Sequence, residues 1–396
     1  MNTPQHEGPL RVGLVAGEAS GDTLGAHLIE AMHAIDPTIQ FFGVAGPQMQ
    51  RAGCETWEPA ESLAVMGLIE VLPHLPRLLR LRKRIEKRFI EAKPDVFVGI
   101  DAKEFNLGLS RRLRAAGLTT VQYVSPQVWA WRPGRVRKMH EAVDLVLCLL
   151  PFEKKFYDEQ GLPAEFVGHP LADAVPLQVD RAAARRELGL APEAQVVALL
   201  PGSRRAEVEL LSPAYAATAR SLLAKRPALQ FIAPMASDHA RRQFEQVLRA
   251  QAPEVSVQLL AGSAQRALIA CNVALVASGT ATLEAALCKR PMVVVYRMGD
   301  LTAWIIRRFN LVKSAFFAQP NLLSGRRIVN EYFQEEIDPD RIATELLEWL
   351  DDAPRRLELE RVFLQIHLQL KRQASERAAQ AILALVHARR APTAGA

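Results

Sequence analysis

Short apolar runs recur along this 396-residue chain, each ending in a small or polar turn and followed by a longer stretch with helical spacing. Arg11 to Ala16, Phe41 to Gly46, Asp95 to Ile100, Thr119 to Val124 and Val143 to Leu150 predict buried strands in the first half. Val196 to Leu200, Gln230 to Ala233, Val255 to Leu259, Val273 to Val276 and Met292 to Val295 predict a second set. Strands without a polar face, separated by helices, form parallel sheets covered on both sides. Two such series predict an α/β protein of two doubly wound, Rossmann-like domains with an interdomain cleft, followed by C-terminal helices. The polar, Ala/Arg-rich stretch from Asp173 to Glu193 separates them. The expected divisions are 1–174, 175–344, helices over 345–390 packing back on the N-terminal domain or on a partner chain, and a frayed tail at 391–396.

The turns after these strands hold the candidate chemistry. Ser278-Gly279-Thr280-Ala281-Thr282-Leu283-Glu284 joins an apolar run to a helix expected over Ala281 to Leu287. N–H groups at a helix start are unpaired and the helix dipole is positive there, which suits a phosphate or diphosphate. Glu284, one turn deeper on much the same face as Thr280, is placed to accept two ribose hydroxyls. An ordinary N-cap followed by a solvated Glu gives the same spacing, so the rest of the chain must decide. Arg204, in Leu200-Pro201-Gly202-Ser203-Arg204, is expected at the same rim, where it can pair bidentately with a diphosphate. In the first half, Glu18 and Ser20 of Gly17-Glu18-Ala19-Ser20-Gly21-Asp22 either face a ligand or cap a helix starting near Asp22. Gly17, Gly21 and Gly25 recur every four residues, which is not the G-x-G-x-x-G of a dinucleotide oxidoreductase. Asp101 arrives at the carboxyl edge of its strand, with Glu104 and Asn106 close behind; helix capping competes with catalysis for Asp101. Asn321 of Gln319-Pro320-Asn321-Leu322-Leu323 is expected to reach the cleft, and His169, beside Pro170, to serve the hinge. Asp338-Pro339-Asp340 reads as a helix start, not a metal site.

Charge narrows the partner. Lys and Arg number 49 against 43 Asp and Glu, giving +6 and a pI near 9.2, so an anionic partner is expected. No nucleic-acid-binding module is visible. Arg77, Arg80, Arg84, Lys87 and Arg88 share one helical face, and Leu78, Leu81, Ile85 and Phe89 share the next, as on a helix facing anionic lipid. For that helix alone, a surface helix with a solvated charged face is the better reading. The adjoining Met66, Leu68, Ile69, Val71 and Leu72 favour lipid. Trp129 and Trp131, two of five tryptophans, read as a cleft wall. Cys54, Cys148, Cys271 and Cys288 lie singly, as buried thiols of a reducing cytoplasm. Neither an export signal nor a bilayer-spanning run is visible.

Gly17-Glu18-Ala19-Ser20-Gly21-Asp22, Val65-Met66-Gly67 with Glu70-Val71-Leu72, Gly99-Ile100-Asp101-Ala102, Ser125-Pro126 with Val128-Trp129-Ala130-Trp131-Arg132, Gly168-His169-Pro170-Leu171, Leu200-Pro201-Gly202-Ser203-Arg204, Ser278-Gly279-Thr280 with Glu284, and Pro320-Asn321-Leu322-Leu323 occur in this order. Together, from about Arg11 to about Glu336, they resemble the lipid-A-disaccharide synthase family. One departure is Ala102-Lys103-Glu104-Phe105-Asn106, where the family pattern reads Ala-Pro-Asp-Phe-Asn. The resemblance implies a B-type inverting glycosyltransferase joining UDP-2,3-diacylglucosamine to 2,3-diacylglucosamine 1-phosphate, giving the β-1,6-linked lipid A disaccharide 1-phosphate and UDP. It implies Asp101 as general base and Arg204 with the Ser278 to Thr280 N–H groups on the departing diphosphate. Neither cofactor nor metal is expected. The enzyme is expected in the cytoplasm, held peripherally at the anionic inner-membrane surface, with a homodimer through Leu346 to Val386 as a further expectation. Another UDP-N-acetylglucosamine transferase or epimerase on the same fold is the alternative.

Overall fold

A computed structural model describes residues 8–63, 75–126, 136–262, 264–308 and 314–390. Two compact units emerge, Met1–Asp173 with Leu370–Ala396, and Ala174–Gln369.

In the first unit the strands are β1 (Arg11–Ala16), β2 (Gln40–Ala45), β3 (Cys54–Pro59), β4 (Val96–Ile100), β5 (Thr120–Tyr123), β6 (Leu145–Cys148) and β7 (Ala164–Phe166). They form one parallel sheet in the order β3-β2-β1-β4-β5-β6-β7. Side chains alternate across a strand, so a sheet covered on both faces needs apolar residues at every position. Val12, Leu14 and Ala16 pack with Leu28, Ile29 and Met32 of the helix Ala19–Ile35 and with Ile382 and Val386 of the helix Ala374–Arg390. Val15 and Phe97 face the other way, onto Leu81, Ile85 and Phe89 of the helix Leu75–Ala92 and Leu109 and Leu113 of the helix Lys103–Ala115.

The second unit holds β8 (Val196–Leu200), β9 (Gln230–Met235), β10 (Val257–Ala261), β11 (Val273–Ala277), β12 (Met292–Tyr296) and β13 (Glu331–Phe333), parallel, in the order β10-β9-β8-β11-β12-β13. Strand order reverses between β1 and β4 in one sheet and between β8 and β11 in the other. β3, β7 and β13 were not expected from hydrophobic patterning: all three are edge strands, β3 reads Cys-Glu-Thr-Trp-Glu-Pro with mostly half-exposed positions, and β7 and β13 have three residues each. None makes an apolar run.

The C-terminal helices divide between the units. Pro339–Asp351 and Ala353–Leu370 lie within the second, while Ala374–Arg390 closes the first. Asp338 caps the helix it precedes, its carboxylate accepting from Asp340 N at 3.0 Å and Arg341 N at 3.4 Å. Their apolar residues Leu346, Trp349, Phe363, Ile366, Ile382 and Val386 are buried within this chain. The returning chain is clasped in the first unit: the Asp173 carboxylate accepts from Gln373 N at 3.0 Å and Ala374 N at 2.7 Å, and His169 N donates to Leu370 O at 2.9 Å. Burial pushes the His169 imidazole down to about 4, so it is neutral at physiological pH and its role here is structural.

The polar stretch between the two strand series is not a loose linker. It contains the helix Arg181–Glu187, whose Arg185 is 4% exposed. Arg185 donates to Ala270 O at 3.0 Å, Ala194 O at 2.8 Å and Asn272 Oδ1 at 2.8 Å, and also to Ala191 O and Pro192 O. A planar five-donor fork is what lets one side chain satisfy so many carbonyls. Replacing it orphans several at once. Arg185→Met is expected to destabilise the second unit by about 3 kcal/mol in urea unfolding, and an unchanged midpoint would show that these bonds contribute nothing net.

Candidate active site

In an open parallel sheet, the loops leaving two strands at a reversal of order diverge to opposite faces and open a crevice at the carboxyl edge. In the first sheet that crevice lies between the loops after β1 and β4, whose last residues, Ala16 and Ile100, are paired. The β1 loop is Gly17 and Glu18, and the helix starts at Ala19, about one turn earlier than expected. The β4 loop is Asp101 and Ala102. The two loops touch closely: a Cβ at Gly17 would stand 2.7 Å from the Ala102 Cβ, so only glycine fits there. Glu18 is half-buried and Ser20 exposed, and the Glu18 side chain does not cap its helix. Asp101 is half-buried, and its carboxylate has no hydrogen bond or ion pair among the described residues.

The Asp101 backbone is unusual. Asp101 and Ala102 have φ of 48° and 38°, and Val124, at the end of the neighbouring strand β5, has φ of 75°. Left-handed backbone in residues other than glycine costs energy and persists where surroundings over-determine it. Two buried amides supply that determination. Asn106 Nδ2 lies 3.2 Å from Val15 O, 3.2 Å from Ile100 O and 3.0 Å from Asp101 O. Gln122 Nε2 lies 3.3 Å from the carbonyls of Asp101, Tyr123 and Val124. Asn106 was expected to contact substrate. With no exposure and its amide turned onto the backbone, it holds the Asp101 turn instead. Lys103 is the first residue of its helix and Glu104 lies in the first turn, where an acid is favourable, so the Lys-Glu departure leaves the helix entry intact. Gln122 was missed, although a Gln inside a buried strand is a readable signal.

The second crevice lies between the loops after β8 and β11, where Leu200 pairs with Val276. Two helices begin there, Arg205–Lys225 behind Arg204 and Thr280–Leu287 behind Gly279. Their first N–H groups and dipoles lie at one rim, an arrangement that suits an anion. Gly279 has φ of 138° and ψ of −156°, a region that glycine alone enters freely, while a Cβ there would meet nothing within 4 Å. The backbone conformation demands glycine, and the space before it is open. The turn is braced from the side. Ser278 Oγ donates to Phe317 O at 3.2 Å, and Thr282 Oγ1 donates to Gly279 O at 2.8 Å while accepting from Gln319 N at 3.1 Å. Thr280 is exposed at the helix start. Arg204 is exposed and loosely paired with Glu207 at 3.4 Å, leaving its guanidinium free to turn toward a ligand. Glu284 is half-buried, its carboxylate has no partner among the described residues, and burial raises its pKa above the ordinary range.

Asn321 is a second correction. It is fully buried, donates to Val329 O at 2.8 Å and Glu331 Oε1 at 2.6 Å, and accepts from Ile328 N at 2.8 Å and Val329 N at 3.1 Å. All its bonding capacity goes into the loop ahead of β13, so it faces no ligand. On the helix Leu75–Ala92, the apolar face is core and not a lipid-facing surface: Leu81, Ile85 and Phe89 are buried. Arg77, Arg80 and Arg84 are exposed, Arg84 being paired with Glu58 at 2.6 Å. Leu79 and Ile90, at 45% and 38% exposure, are the apolar groups left on the outside. Met66, Leu68, Ile69, Val71 and Leu72, with Trp129 and Trp131, lie outside the described residues. Among the described residues, no helix is long and apolar enough to cross a membrane.

Residues 12–386 match the family model described as Lipid-A-disaccharide synthetase. The chain is 52% identical over 380 residues to the lipid-A-disaccharide synthase of Serratia proteamaculans, covering 96% of this chain and 99% of that protein. It is 53% identical over 380 residues to that of Pseudomonas aeruginosa, with the same two coverages. Among solved structures it is similar to the UDP-GlcNAc 2-epimerase of Neisseria meningitidis bound to UDP-GlcNAc, with a TM-score of 0.63 at 12% identity over 96% of this chain and 100% of that one. The calicheamicin glycosyltransferase CalG4 gives 0.58 at 16% over 97% and 100%. At such identities the structural likeness concerns the fold, that of two-sheet nucleotide-sugar enzymes, and the sequence relatives carry the activity.

Proposed function

The chain belongs to the lipid-A-disaccharide synthase family and is a glycosyltransferase of lipid A biosynthesis, and from that premise we propose which of its groups carry the transfer. The donor is UDP-2,3-diacylglucosamine and the acceptor 2,3-diacylglucosamine 1-phosphate. The donor diphosphate occupies the rim after β8 and β11, on the N–H groups of Ser278 to Thr280 and the guanidinium of Arg204, with the ribose hydroxyls on Glu284. The observation that carries this reading is the pair of helix starts at one reversal of strand order, with an unpartnered carboxylate one turn below.

Asp101 is the general base. The acceptor 6-hydroxyl loses its proton to the Asp101 carboxylate as its oxygen bonds to the anomeric carbon, and the bond from that carbon to the diphosphate oxygen breaks on the opposite face. The configuration inverts, and the leaving charge stays on UDP. Each well-aimed donor to that charge is worth about 3 kcal/mol, and the base about 10²–10⁴-fold in rate. Support for Asp101 comes from its carboxylate, which has no partner among the described residues, and from the two buried amides that hold its strained turn. Asp101→Asn is expected to lower kcat about 10²–10⁴-fold while UDP affinity stays within about twofold, as measured by steady-state assay and calorimetry. Full activity in this variant would move the base elsewhere, Glu18 being next.

The Glu284 assignment has a pH signature. Burial raises its pKa in the free protein by penalising the charged form, whereas ribose hydroxyls donate to that form. Ligand binding is therefore strongest above the raised pKa and weakens as pH falls through it. Uridine, which has no phosphate to titrate, is expected to show this loss with the wild type and a flat profile with Glu284→Gln. A wild-type profile as flat as the variant's would remove Glu284 from the ribose.

The exposed cations Arg77, Arg80 and Arg84 of the helix Leu75–Ala92 face the anionic lipid surface that supplies both substrates, each worth about 1 kcal/mol near such a surface. Replacing all three by Gln is expected to reduce sedimentation with phosphatidylglycerol vesicles at least about tenfold, without changing turnover of detergent-dispersed substrate. Unchanged vesicle binding would refute that assignment.

A further inference from the structure

Beside the diphosphate seat the second sheet carries a group of aromatic side chains that the transfer chemistry leaves unused. Tyr296 ends β12, Phe333 ends β13 and is its register partner, and Phe317 precedes the helix Gln319–Ser324. Their ring centroids lie 5.7 Å (Tyr296 to Phe317), 5.7 Å (Tyr296 to Phe333) and 5.3 Å (Phe317 to Phe333) apart. All three are only half-buried. The group is joined to the seat, because the Phe317 carbonyl accepts from Ser278 Oγ at 3.2 Å. It is also rigid. The Glu331 carboxylate accepts from Phe317 N at 2.8 Å and Ala318 N at 2.9 Å. Gln334, buried and with φ of 53°, accepts from Met298 N at 2.8 Å and donates to Met298 O at 3.1 Å, which ties the exit of β12 to that of β13.

We propose that Tyr296, Phe317 and Phe333 form an apolar shelf that receives the acyl chains of the donor sugar and selects acylated over unacylated UDP-sugars. This rests on the donor assignment above. Those chains leave the sugar at the two carbons next in line after the anomeric carbon, so they emerge close to the diphosphate. Parallel strands lie about 4.8 Å apart, so from β11 to β13 is about 10 Å, within reach of even a short chain. Ring faces half in water gain by covering with methylenes, and a preformed surface avoids the entropy of assembling one. A hydrophilic sugar gains nothing there.

The test compares Phe333→Ala, Tyr296→Ala and the milder Phe333→Leu with wild type, using UDP alone and donors with long and short acyl chains. The alanine variants are expected to raise KM for the long-chain donor roughly ten- to hundredfold and to flatten its dependence on chain length, with UDP affinity held within about twofold. Phe333→Leu is expected to retain most of the preference. Loss of UDP and long-chain donor binding by the same factor would overturn the shelf, since the rings would then be bracing the seat or stacking on the base. An unaltered chain-length profile would also overturn it. A wild type indifferent to donor acylation would instead overturn the substrate assignment itself, which separates the two failures.

Discussion

Reversal of strand order in a parallel sheet is the constraint on which everything else depends. Where β4 is laid on the far side of β1, and β11 on the far side of β8, the loops leaving the paired strands must part. The gap they leave is lined by backbone N–H groups and by the first side chains of two helices. Glu18 and Asp101 occupy one such gap, Arg204 and Ser278 to Thr280 the other. The chemical division follows from what each gap contains. The first offers carboxylates without a partner among the described residues, suited to taking a proton, and the second offers helix starts and a guanidinium, suited to holding and releasing a diphosphate.

Buried amides hold these loops in place. Asn106 and Gln122 gather the carbonyls around Asp101, Asn321 satisfies the loop before β13, and Gln334 grips Met298. Each is nearly or wholly excluded from solvent, so each missing bond would cost a full desolvation penalty. That cost is what keeps Asp101, Ala102 and Val124 in backbone conformations they would not choose alone. These amides turn onto the backbone, and the Asp101 carboxylate owes its place to Asn106 and Gln122.

Most of the fold could be read from the sequence because both sheets are covered on both faces, and the inner strands are therefore mostly apolar runs, β5 with its buried Gln122 being the exception. β3, β7 and β13 escaped for the complementary reason: an edge strand keeps polar residues, and three residues carry no period. The turns at the helix starts were legible because small residues after an apolar run mark where a strand gives way to a helix. Asn106 and Asn321 were misread as substrate contacts, since sequence places an amide near a rim without saying whether it turns outward or back onto the chain. Gln334 and the aromatic group of Tyr296, Phe317 and Phe333 arise from contacts distant in sequence. No local pattern announces them.

The division of labour between the two strand reversals is tested most directly by amide hydrogen exchange with and without UDP. Slowed exchange is expected at the start of the helix Thr280–Leu287 and in the loop ahead of Arg205, with residues 17–20 and 101–106 little changed. Protection at 17–20 and 101–106 with none at 279–282 would contradict it, and would put the nucleotide on the first sheet.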